Sequence, residues 1–467
     1  MAPGAARPDA HGGAARLMPR WTAVVLALLV LASGGPARAA PAPLGACGPV
    51  DRADDVIELP VARLRGLRGT PVATVGVVGF RDGVAAPIPF QLDESTGKKI
   101  VLTEGPEART DDSPGVLDDQ DLLVFMACDA GEAADAEHLD RYLAGAAPVT
   151  AWREVKIDDP LTGRTAFVYV IVAPQPPHTD RHYVEYDSAL DMVVTARYRL
   201  GCVGALPVYL GLALDGPLGP NVLDGLRLRA EATLVAGLAH WTLNERQGRN
   251  SLIAWKSGPV RVVRRSRHEV EIGLGIHLTA GVAHTYFYAQ HIFGPGAMKL
   301  PFSPSVFFRD ITAMGGADFR DLRGWRFRAP GVPGGDFLVD GKPDPAETAY
   351  ATPGDWLLLH HEHAGLLVAA TVSPNFTQFV RLEPLFVDDA TRRAPPEDEF
   401  GSLPLAGFRL PGIQRLQGGR YRFQLNVAML PGYRDGDEQR VLKRIATPLT
   451  ADVTDRGAPA AAPAAAR

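Results

Sequence analysis

Glycine and proline interrupt this chain so often that long helices have little room to form. The 467 residues include 49 glycines and 40 prolines, which separate short apolar stretches along most of the sequence. Short apolar stretches between turn-forming residues are typical of β-strands. We therefore predict a mostly β protein with few short helices.

Turn residues predict two β-hairpins in the first part of the chain. Val72–Phe80 and Ala86–Leu92 flank Arg81-Asp82-Gly83, a turn in which glycine readily supplies a positive φ angle. The turn at Asp158–Gly163 lies between two apolar stretches in the same manner. Both segments predict antiparallel strands that are neighbours in one sheet.

Alternation of polar and apolar residues predicts further strands in the second part. Leu226–Glu231 and Arg420–Val427 alternate with period two, as expected for strands with one solvent-facing side. Helical patterns are limited to Ala136–Leu143 and to Asp437–Ile445, which begins with acidic and ends with basic residues.

The proline-rich segment Pro174–Pro177 predicts a boundary between two domains, because consecutive prolines are excluded from the interior of a sheet. Residues 48–175 are predicted to form an N-terminal β-sandwich. Residues 181–455 are predicted to form a larger sandwich or supersandwich-like domain. Residues 456–467, rich in alanine and proline, are predicted to be a disordered tail.

Residues 1–39 have the features of a secretory signal peptide. Two arginines precede the apolar run Ala23–Ala32, and Ala37-Arg38-Ala39 provides small residues for cleavage after Ala39. A run of ten residues is shorter than the roughly 20 that span a bilayer, which disfavours a membrane anchor. Met18 is an alternative start of the same signal. We expect export to the periplasm or the extracellular space, with no membrane-spanning segment in the cleaved protein.

A lipoprotein is the less favoured form of export. Leu44-Gly45-Ala46-Cys47 places small residues before a cysteine, as lipidation requires. However, Cys47 lies 15 residues beyond the apolar run, with three prolines between them. A processed cysteine normally follows that run directly, so the spacing favours cleavage after Ala39.

Charge and missing motifs exclude several functions. The formal net charge is −5 and becomes more negative without the basic leader, which disfavours nucleic acid as a partner. The sequence has no glycine-rich phosphate loop, no Gly-x-Ser-x-Gly turn and no His-Glu-x-x-His helix. None of the reaction classes associated with these motifs has support.

Three cysteines allow at most one internal disulfide in an exported protein. We predict the pair Cys128–Cys202, because both residues lie in segments expected to be structured, whereas Cys47 lies near the new N-terminus. The wide spacing excludes a zinc site made of cysteine pairs.

The acidic segment Asp111–Asp121 is a candidate calcium site. Several carboxylates on one turn can supply the oxygen ligands that Ca²⁺ requires. The spacing does not match an EF-hand loop. The alternative is a solvated turn whose charges prevent edge pairing of the following strand, Leu122–Ala127.

Two histidines two residues apart form a second candidate site. If Leu357–Ala370 is one strand, His361 and His363 share a face, with His360 on the other. Such a pair can bind a transition metal with a third ligand from elsewhere, or supply an acid or base. The alternative is a pair of histidines that line a polar groove.

A third candidate is an aromatic face in His284–His291. His284, Tyr286, Tyr288 and Gln290 share one face of an extended segment, and such a face is suited to stacking on sugars and to bonding their hydroxyls. A tyrosine or histidine there can act as the base of β-elimination, with Arg309 neutralising a uronate carboxylate. An outward strand face in any β protein can also carry these residue types.

Gly258–Arg265, followed by an alternating strand and by His284–His291, resembles an element of galactose-mutarotase-like β-supersandwich domains. Exported polysaccharide lyases and related proteins use that fold. The resemblance spans about residues 185–450 and implies a fold, but it assigns no catalytic residue. In the first domain, Ile88–Glu94 and Leu117–Asp129 resemble segments of exported bacterial proteins of unknown function.

These features together predict an exported, carbohydrate-associated protein whose partner is a glycan. They leave open whether it is an enzyme. The alternative is a non-enzymatic envelope protein that binds a metal or another protein through its sheet surfaces. The sequence indicates no oligomeric state.

Overall fold

The fold is described from a computed structural model, in which residues 40–454 are described except for 54, 98, 146–147, 204–205, 214–217, 235–238, 272–276 and 393–399. The predicted signal peptide at 1–39 and the predicted tail at 456–467 lie outside the described residues. The molecule is mostly β, with several antiparallel sheets, as the punctuation by glycine and proline predicts.

The strands and helices of the described residues follow in chain order. Before the proline-rich segment lie β1 Val56–Pro60, β2 Val75–Arg81, β3 Val84–Pro87, β4 Phe90–Asp93, β5 Ser95–Thr96, β6 Lys99–Ile100, β7 Leu122–Met126, α1 Ala136–Gly145, β8 Ala151–Asp158 and β9 Thr165–Val172. After it lie β10 Val184–Asp187, β11 Met192–Thr195, β12 Tyr198–Val203, β13 Leu206–Leu212, β14 Leu223–Leu234, β15 His240–Leu243, β16 Gly248–Ser257, β17 Val262–Glu271, β18 His277–Phe287, β19 His291–Leu300, β20 Phe308–Phe319, β21 Arg326–Arg328, β22 Phe337–Leu338, α2 Pro345–Ala349, β23 Trp356–His361, β24 Ala364–Val372, α3 Pro374–Thr377, β25 Glu383–Val387, β26 Leu405–Arg409, β27 Gly419–Pro431, α4 Asp437–Ala446 and β28 Thr450–Thr454.

The first part of the chain forms the predicted β-sandwich. A three-stranded sheet in the order β1-β7-β4 faces a five-stranded sheet in the order β28-β8-β9-β2-β3. Both predicted hairpins are present, as β2-β3 and β8-β9. The predicted strand Ala86–Leu92 is, however, divided into β3 and β4, which lie in different sheets. Asp82 and Gly83 both have positive φ, as a tight hairpin turn requires. Apolar side chains of both sheets fill the core, among them Ile57, Leu59, Val77, Leu123, Phe125, Val155, Val168 and Val170.

The last strand corrects the predicted domain boundary at residue 455. The sequence places β28 in the second domain, whereas β28 pairs with β8 of the first sandwich, in the register Thr450 to Asp158 and Thr454 to Glu154. The C-terminal segment therefore completes the sheet of the N-terminal sandwich. Local sequence pattern carries no information on so distant a pairing.

Among the residues that the structure describes, the second part of the chain forms three sheets. β10-β11-β12-β13 form a small sheet, β15-β14-β20-β26-β25 a second, and β16-β17-β18-β19-β27-β24-β23-β21-β22 a third. The predicted alternating strands are β14 and β27, one in each of the two larger sheets. Their apolar faces meet in a core that includes Leu223, Val262, Phe287, Phe319, Phe327, Leu357, Leu366, Ala406, Phe408 and Met429.

The two helices predicted from the sequence are α1 and α4. α4 begins with Asp437 and Glu438 and ends with Lys443 and Arg444, which complements the helix dipole. No helix of the described chain is both long and apolar enough to span a membrane.

The proline-rich segment is packed against the first sandwich. A Cβ atom placed on Gly76 of β2 would lie 2.7 Å from the carbonyl oxygen of Pro177, so the two backbones are in close contact. Beyond the prolines, the Tyr183 hydroxyl donates to the buried Asp129 carboxylate at 2.6 Å. From Pro41 onward the chain forms one compact unit.

The disulfide corrects the predicted pair Cys128–Cys202. Cys128 is bonded to Cys47, with 4.4 Å between their Cα atoms, and Cys202 is a buried free thiol. The segment around Cys47 is held in place, because Gly48 N donates to Cys128 O at 3.2 Å and Arg81 donates to Ala46 O at 2.8 Å. Proximity to the N-terminus therefore does not remove Cys47 from the fold. Cys202 lies on β12, where it contacts Arg264.

Candidate functional site

The predicted aromatic face on β18 is covered by the first sandwich. Tyr286 packs on the cluster of Leu102, Ala254 and Val263, together with Ile100. Tyr288 is 3% exposed, and its hydroxyl oxygen lies 3.0 Å from Arg261 Nη1. These side chains form part of a contact between the first sandwich and the nine-stranded sheet, not an open sugar-binding surface.

The surroundings of Tyr288 also disfavour its predicted role as a base. Burial raises the pKa of Tyr288 well above its ordinary value, against the opposing charge of Arg261. The phenol therefore stays protonated near neutral pH. Its hydroxyl also donates to Glu58 at 3.3 Å.

The other residues predicted for this site are dispersed. His284 is half-buried, and burial together with the charges of Arg265 and Lys99 lowers its pKa. Gln290 lies in the turn after β18 and is buried, so it does not continue the face of His284. Arg309 lies on β20 of the five-stranded sheet, opposite Thr233, and does not join the other predicted residues.

The predicted continuous strand through the second candidate site is a hairpin. β23 ends at His361 and β24 begins at Ala364, so Glu362 and His363 form the turn. The rings of His361 and His363 have centroids 6.2 Å apart, and His363 Nε2 lies 3.0 Å from a Glu362 carboxylate oxygen. Within the described residues, neither histidine belongs to a group of three metal-ligand side chains.

His360 has a different environment from its two neighbours. It is 8% exposed, its Nε2 lies 3.3 Å from Asp336 Oδ1, and its ring packs on Tyr433 at 4.9 Å. Burial lowers its pKa despite the opposing effect of Asp336. Asp336 also holds Arg328 at 2.6 Å, so the histidine belongs to a buried ion-pair network at the end of the sheet.

The β18 and β23 segments do not line one cleft. Both strands belong to the nine-stranded sheet, but β19, β27 and β24 lie between them. Neighbouring strands are about 4.8 Å apart, so the separation is roughly 19 Å across the sheet. The histidines predicted from the sequence therefore do not act on one ligand together.

The acidic segment brings three carboxylates together. Ligand oxygens of Asp111, Asp118 and Asp121 all lie within 4.8 Å of one another, so the group could hold a metal ion. Burial raises the pKa of Asp121, and the charges of Asp118 and Asp111 act in the same direction. The carboxylates also accept local backbone bonds, such as Ser95 N to Asp121 at 3.1 Å, which fold the loop on itself.

The inner faces of the five-stranded and nine-stranded sheets become exposed toward one end of the sandwich. On β14 the inward residues change from Leu223 at 3% exposed to Leu228 at 57%. On β27 they change from Met429 at 4% to Phe423 at 46%. The short connection from β19 to β20 places these uncovered strand ends at the same end of the sandwich. We call this region the inter-sheet groove. Its exposed apolar residues are Leu226, Leu228, Phe423 and Leu425, and Ser266, which is 6% exposed, lies with His268 on the inner face of the nine-stranded sheet.

The floor of the inter-sheet groove carries an aromatic ring on a glycine. Phe423 of β27 lies opposite Gly296 of β19. A Cβ atom on Gly296 would lie 2.1 Å from Phe423 Cε2 and 2.2 Å from Cζ, so the ring rests directly on the glycine backbone. The ring is supported from below while much of its surface stays open to solvent.

A polar cluster lies on β16 and β17 along the same inner face. Ser266 Oγ lies 2.9 Å from His268 Nε2, and His268 Nδ1 lies 2.5 Å from Asn250 Oδ1. Burial lowers the pKa of His268, so the imidazole is neutral near pH 7. Arg264, two residues before Ser266, is 4% exposed and contacts Asp191 at 2.5 Å. The arrangement can transfer a proton between a hydroxyl and an imidazole.

The sequence prediction missed this cluster, although part of the signal was present. Ser266 and His268 are two residues apart in the alternating strand that follows Gly258–Arg265, so they share a face. The third member, Asn250, lies on the preceding strand and requires the register of the hairpin.

Comparisons with known proteins give no family. No protein-family model and no curated protein sequence matches the chain. Among solved structures, an α-mannosidase from Enterococcus faecalis V583 aligns with a TM-score of 0.39 and 8% identity, over 69% of this chain and 43% of the mannosidase. A putative aldose 1-epimerase from Escherichia coli K12 aligns with a TM-score of 0.28 and 9% identity, over 54% of this chain and 99% of the epimerase.

The chain thus spans less than half of the mannosidase that it matches. The similarity to the epimerase is weak, and it does not test the supersandwich resemblance predicted from the sequence. These neighbours are carbohydrate-processing proteins by their names. At such scores they assign no residue and no activity to this chain.

Proposed function

We propose that this protein binds a carbohydrate in the inter-sheet groove. The observation that carries the proposal is the exposed Phe423 ring, which is held on the backbone of Gly296. An aromatic surface fixed in this way is suited to contact with the apolar face of a sugar ring. A ligand there would be oriented without a large loss of side-chain freedom.

The remainder of the groove suits a ligand with both apolar and hydroxyl surfaces. Leu226, Leu228 and Leu425 are 37%, 57% and 40% exposed, and a patch of this kind is a common mark of a binding surface. His268 and Asn250 supply polar groups on the same inner face. Ligand sites generally combine an apolar lining with a few convergent polar groups.

Export remains part of the proposal. A signal peptide at residues 1–39 would deliver the protein to the periplasm or the extracellular space, where glycans are available. The Cys47–Cys128 disulfide supports this, because such bonds persist in oxidising compartments. It also disfavours the lipoprotein alternative, since one sulfur atom does not carry both a lipid and a disulfide.

Glycan binding is tested with the cleaved protein, residues 40–467, by calorimetry and on an array of neutral and acidic polysaccharides. We expect saturable binding that falls at least tenfold in Phe423→Ala. Phe400→Ala is the matched control, because Phe400 is 63% exposed but lies beside Ser402, which contacts Asp318 on the outer face of the sheet. No binding to any glycan, or equal loss in both variants, would contradict the proposal.

A further inference from the structure

We propose that Ser266, His268 and Asn250 form a catalytic triad that hydrolyses an acyl ester on a ligand bound in the inter-sheet groove. The identity of the ligand rests on the proposed function, whereas the triad rests on its own geometry. Ser266 is the nucleophile, His268 the base and Asn250 the positioning residue.

The contacts have the order that nucleophilic catalysis requires. Asn250 Oδ1 accepts only from a protonated Nδ1, so the 2.5 Å contact favours the tautomer with the proton on Nδ1. Nε2 then has a free lone pair, 2.9 Å from Ser266 Oγ, and accepts the hydroxyl proton. A neutral base against a serine, oriented by a third group, is the general arrangement of an activated nucleophile.

A bulge in β16 places Asn250 in this arrangement. The register pairs Ala254 with Arg265 but Leu252 with Ser266, so Ile253 is an extra residue without an opposite partner. Without that shift, Ser251 would lie opposite His268, and Asn250 would face the other side of the sheet. Bulges often re-aim a side chain beside an active site.

Arg264 is the candidate donor for the developing oxyanion. It lies on the same face of β17 as Ser266, two residues before it. Its Nη atoms contact Cys202 and Asp191, whereas its Nε is buried and has no hydrogen-bond partner among the described residues. An unpaired buried N–H is costly, and a negatively charged oxygen would satisfy it.

The reaction balances without a cofactor. Ser266 Oγ bonds to the acyl carbon while its proton passes to His268 Nε2. The resulting tetrahedral oxyanion collapses, the ester C–O bond breaks, and the leaving alcohol takes the proton from His268. Water then attacks the acyl-serine, again losing a proton to His268. Release of the carboxylic acid returns that proton to Ser266.

The space beside the nucleophile favours a small acyl group. Ser266 lies opposite Ala283 of β18, and His268 lies opposite Gly281. These β18 neighbours carry at most one methyl group, which leaves room for an acyl group of acetyl size, while Leu252 of β16, opposite Ser266 on the other side, limits the space there. The inferred substrate class is therefore an O-acetylated carbohydrate.

The triad is tested with probes that need no sugar subsite. We expect a fluorophosphonate to label the purified protein at Ser266, and p-nitrophenyl acetate to be hydrolysed above the buffer rate. Ser266→Ala and His268→Ala should lower both signals at least 100-fold, whereas Ser251→Ala should not. Ser251 is the matched control, because it is exposed on the opposite face of β16. An unlabelled wild-type protein, or a labelled Ser266→Ala variant, would overturn the triad.

Asn250 is tested through its effect on His268. Asn250→Ala should lower kcat about tenfold or more with little change in KM, because the imidazole loses its orientation. Asn250→Asp restores an acceptor oxygen and should recover much of kcat. Equal kcat in all three proteins, with unchanged folding by circular dichroism, would remove Asn250 from the triad.

The outcomes separate this inference from the proposed function. Labelling and glycan binding are measured on the same wild-type protein, and Ser251→Ala, on the opposite face of β16, should retain both. Labelling of Ser266 without binding to any glycan would leave the triad standing and refute the carbohydrate ligand. Glycan binding without labelling of Ser266 would support the carbohydrate ligand and refute the triad.

Discussion

Removal of Arg261 should destabilise the protein far more than removal of a comparable surface arginine. Arg261 is fully buried and lies 2.7 Å from Asp93, which is also fully buried; it also contacts Glu58 and Tyr288. Arg261→Ala leaves the Asp93 carboxylate with Lys256, 3.0 Å away, as its remaining cationic partner. Breaking a buried pair in this way costs about 3–5 kcal/mol.

The expected change is measurable by thermal unfolding. For domains of 150–250 residues, 1 kcal/mol corresponds to about 2–4 °C, so the midpoint should fall by roughly 6–20 °C. Arg63→Ala is the matched control, because Arg63 pairs with Asp452 at 2.8 Å while both side chains are exposed. Exposed pairs contribute about 0–1 kcal/mol, so its midpoint should move by under about 4 °C. Equal shifts in the two variants would refute the reasoning that burial determines the cost.

Three further predictions concern other parts of the fold. Burial raises the pKa of Glu347 to about 7, so the protonated side chain contributes fully to the free energy of unfolding below about pH 4, and this contribution is lost as pH rises through 7. The midpoint of thermal unfolding should therefore fall between pH 5 and 8 more in the wild type than in Glu347→Gln. Loss of the Cys47–Cys128 disulfide, which closes a separation of 81 residues, should lower the free energy of unfolding by about 4–5 kcal/mol. A reductant should therefore lower the midpoint of thermal unfolding of Cys202→Ala, which keeps the disulfide, but not that of Cys47→Ala, which lacks it. If Asp111–Asp121 binds calcium as the sequence predicts, Ca²⁺ should raise the midpoint relative to a chelator, and Asp118→Asn should abolish that rise.

Local patterns were sufficient to predict the strands and their turns. The turn at Asp82-Gly83 was predictable because both residue types tolerate a positive φ angle, and both residues have a positive φ in the structure. Alternation predicted β14 and β27 as strands, because period two is a property of the strand itself. It did not predict which face of β14 is open, because Leu226 and Leu228 are exposed there and Arg227 is buried. The helix at Asp437–Ala446 was predicted because acidic residues stand at its start and basic residues at its end. In each case the cause lies within a few residues of the element.

Features that depend on distant contacts were not predictable in this way. β28 pairs with β8, about 290 residues earlier, and Cys47 meets Cys128 because the N-terminal segment packs on the first sandwich. The aromatic face of β18 was predicted as a face, but alternation does not show what covers it. The first sandwich covers it, so Tyr286 and Tyr288 are structural contacts.

The cluster of Ser266, His268 and Asn250 was only partly predictable from the sequence, because it depends on a shift of one residue in strand register. Strand periodicity places Ser266 and His268 on one face, and that much is readable from the sequence. Asn250 joins them only because Ile253 is inserted as a bulge, and a shift of one residue exchanges the two faces of a strand. Ile253 is 4% exposed, so packing, not turn chemistry, fixes the bulge. The position of the third member of the cluster is therefore a property of the packed sheet.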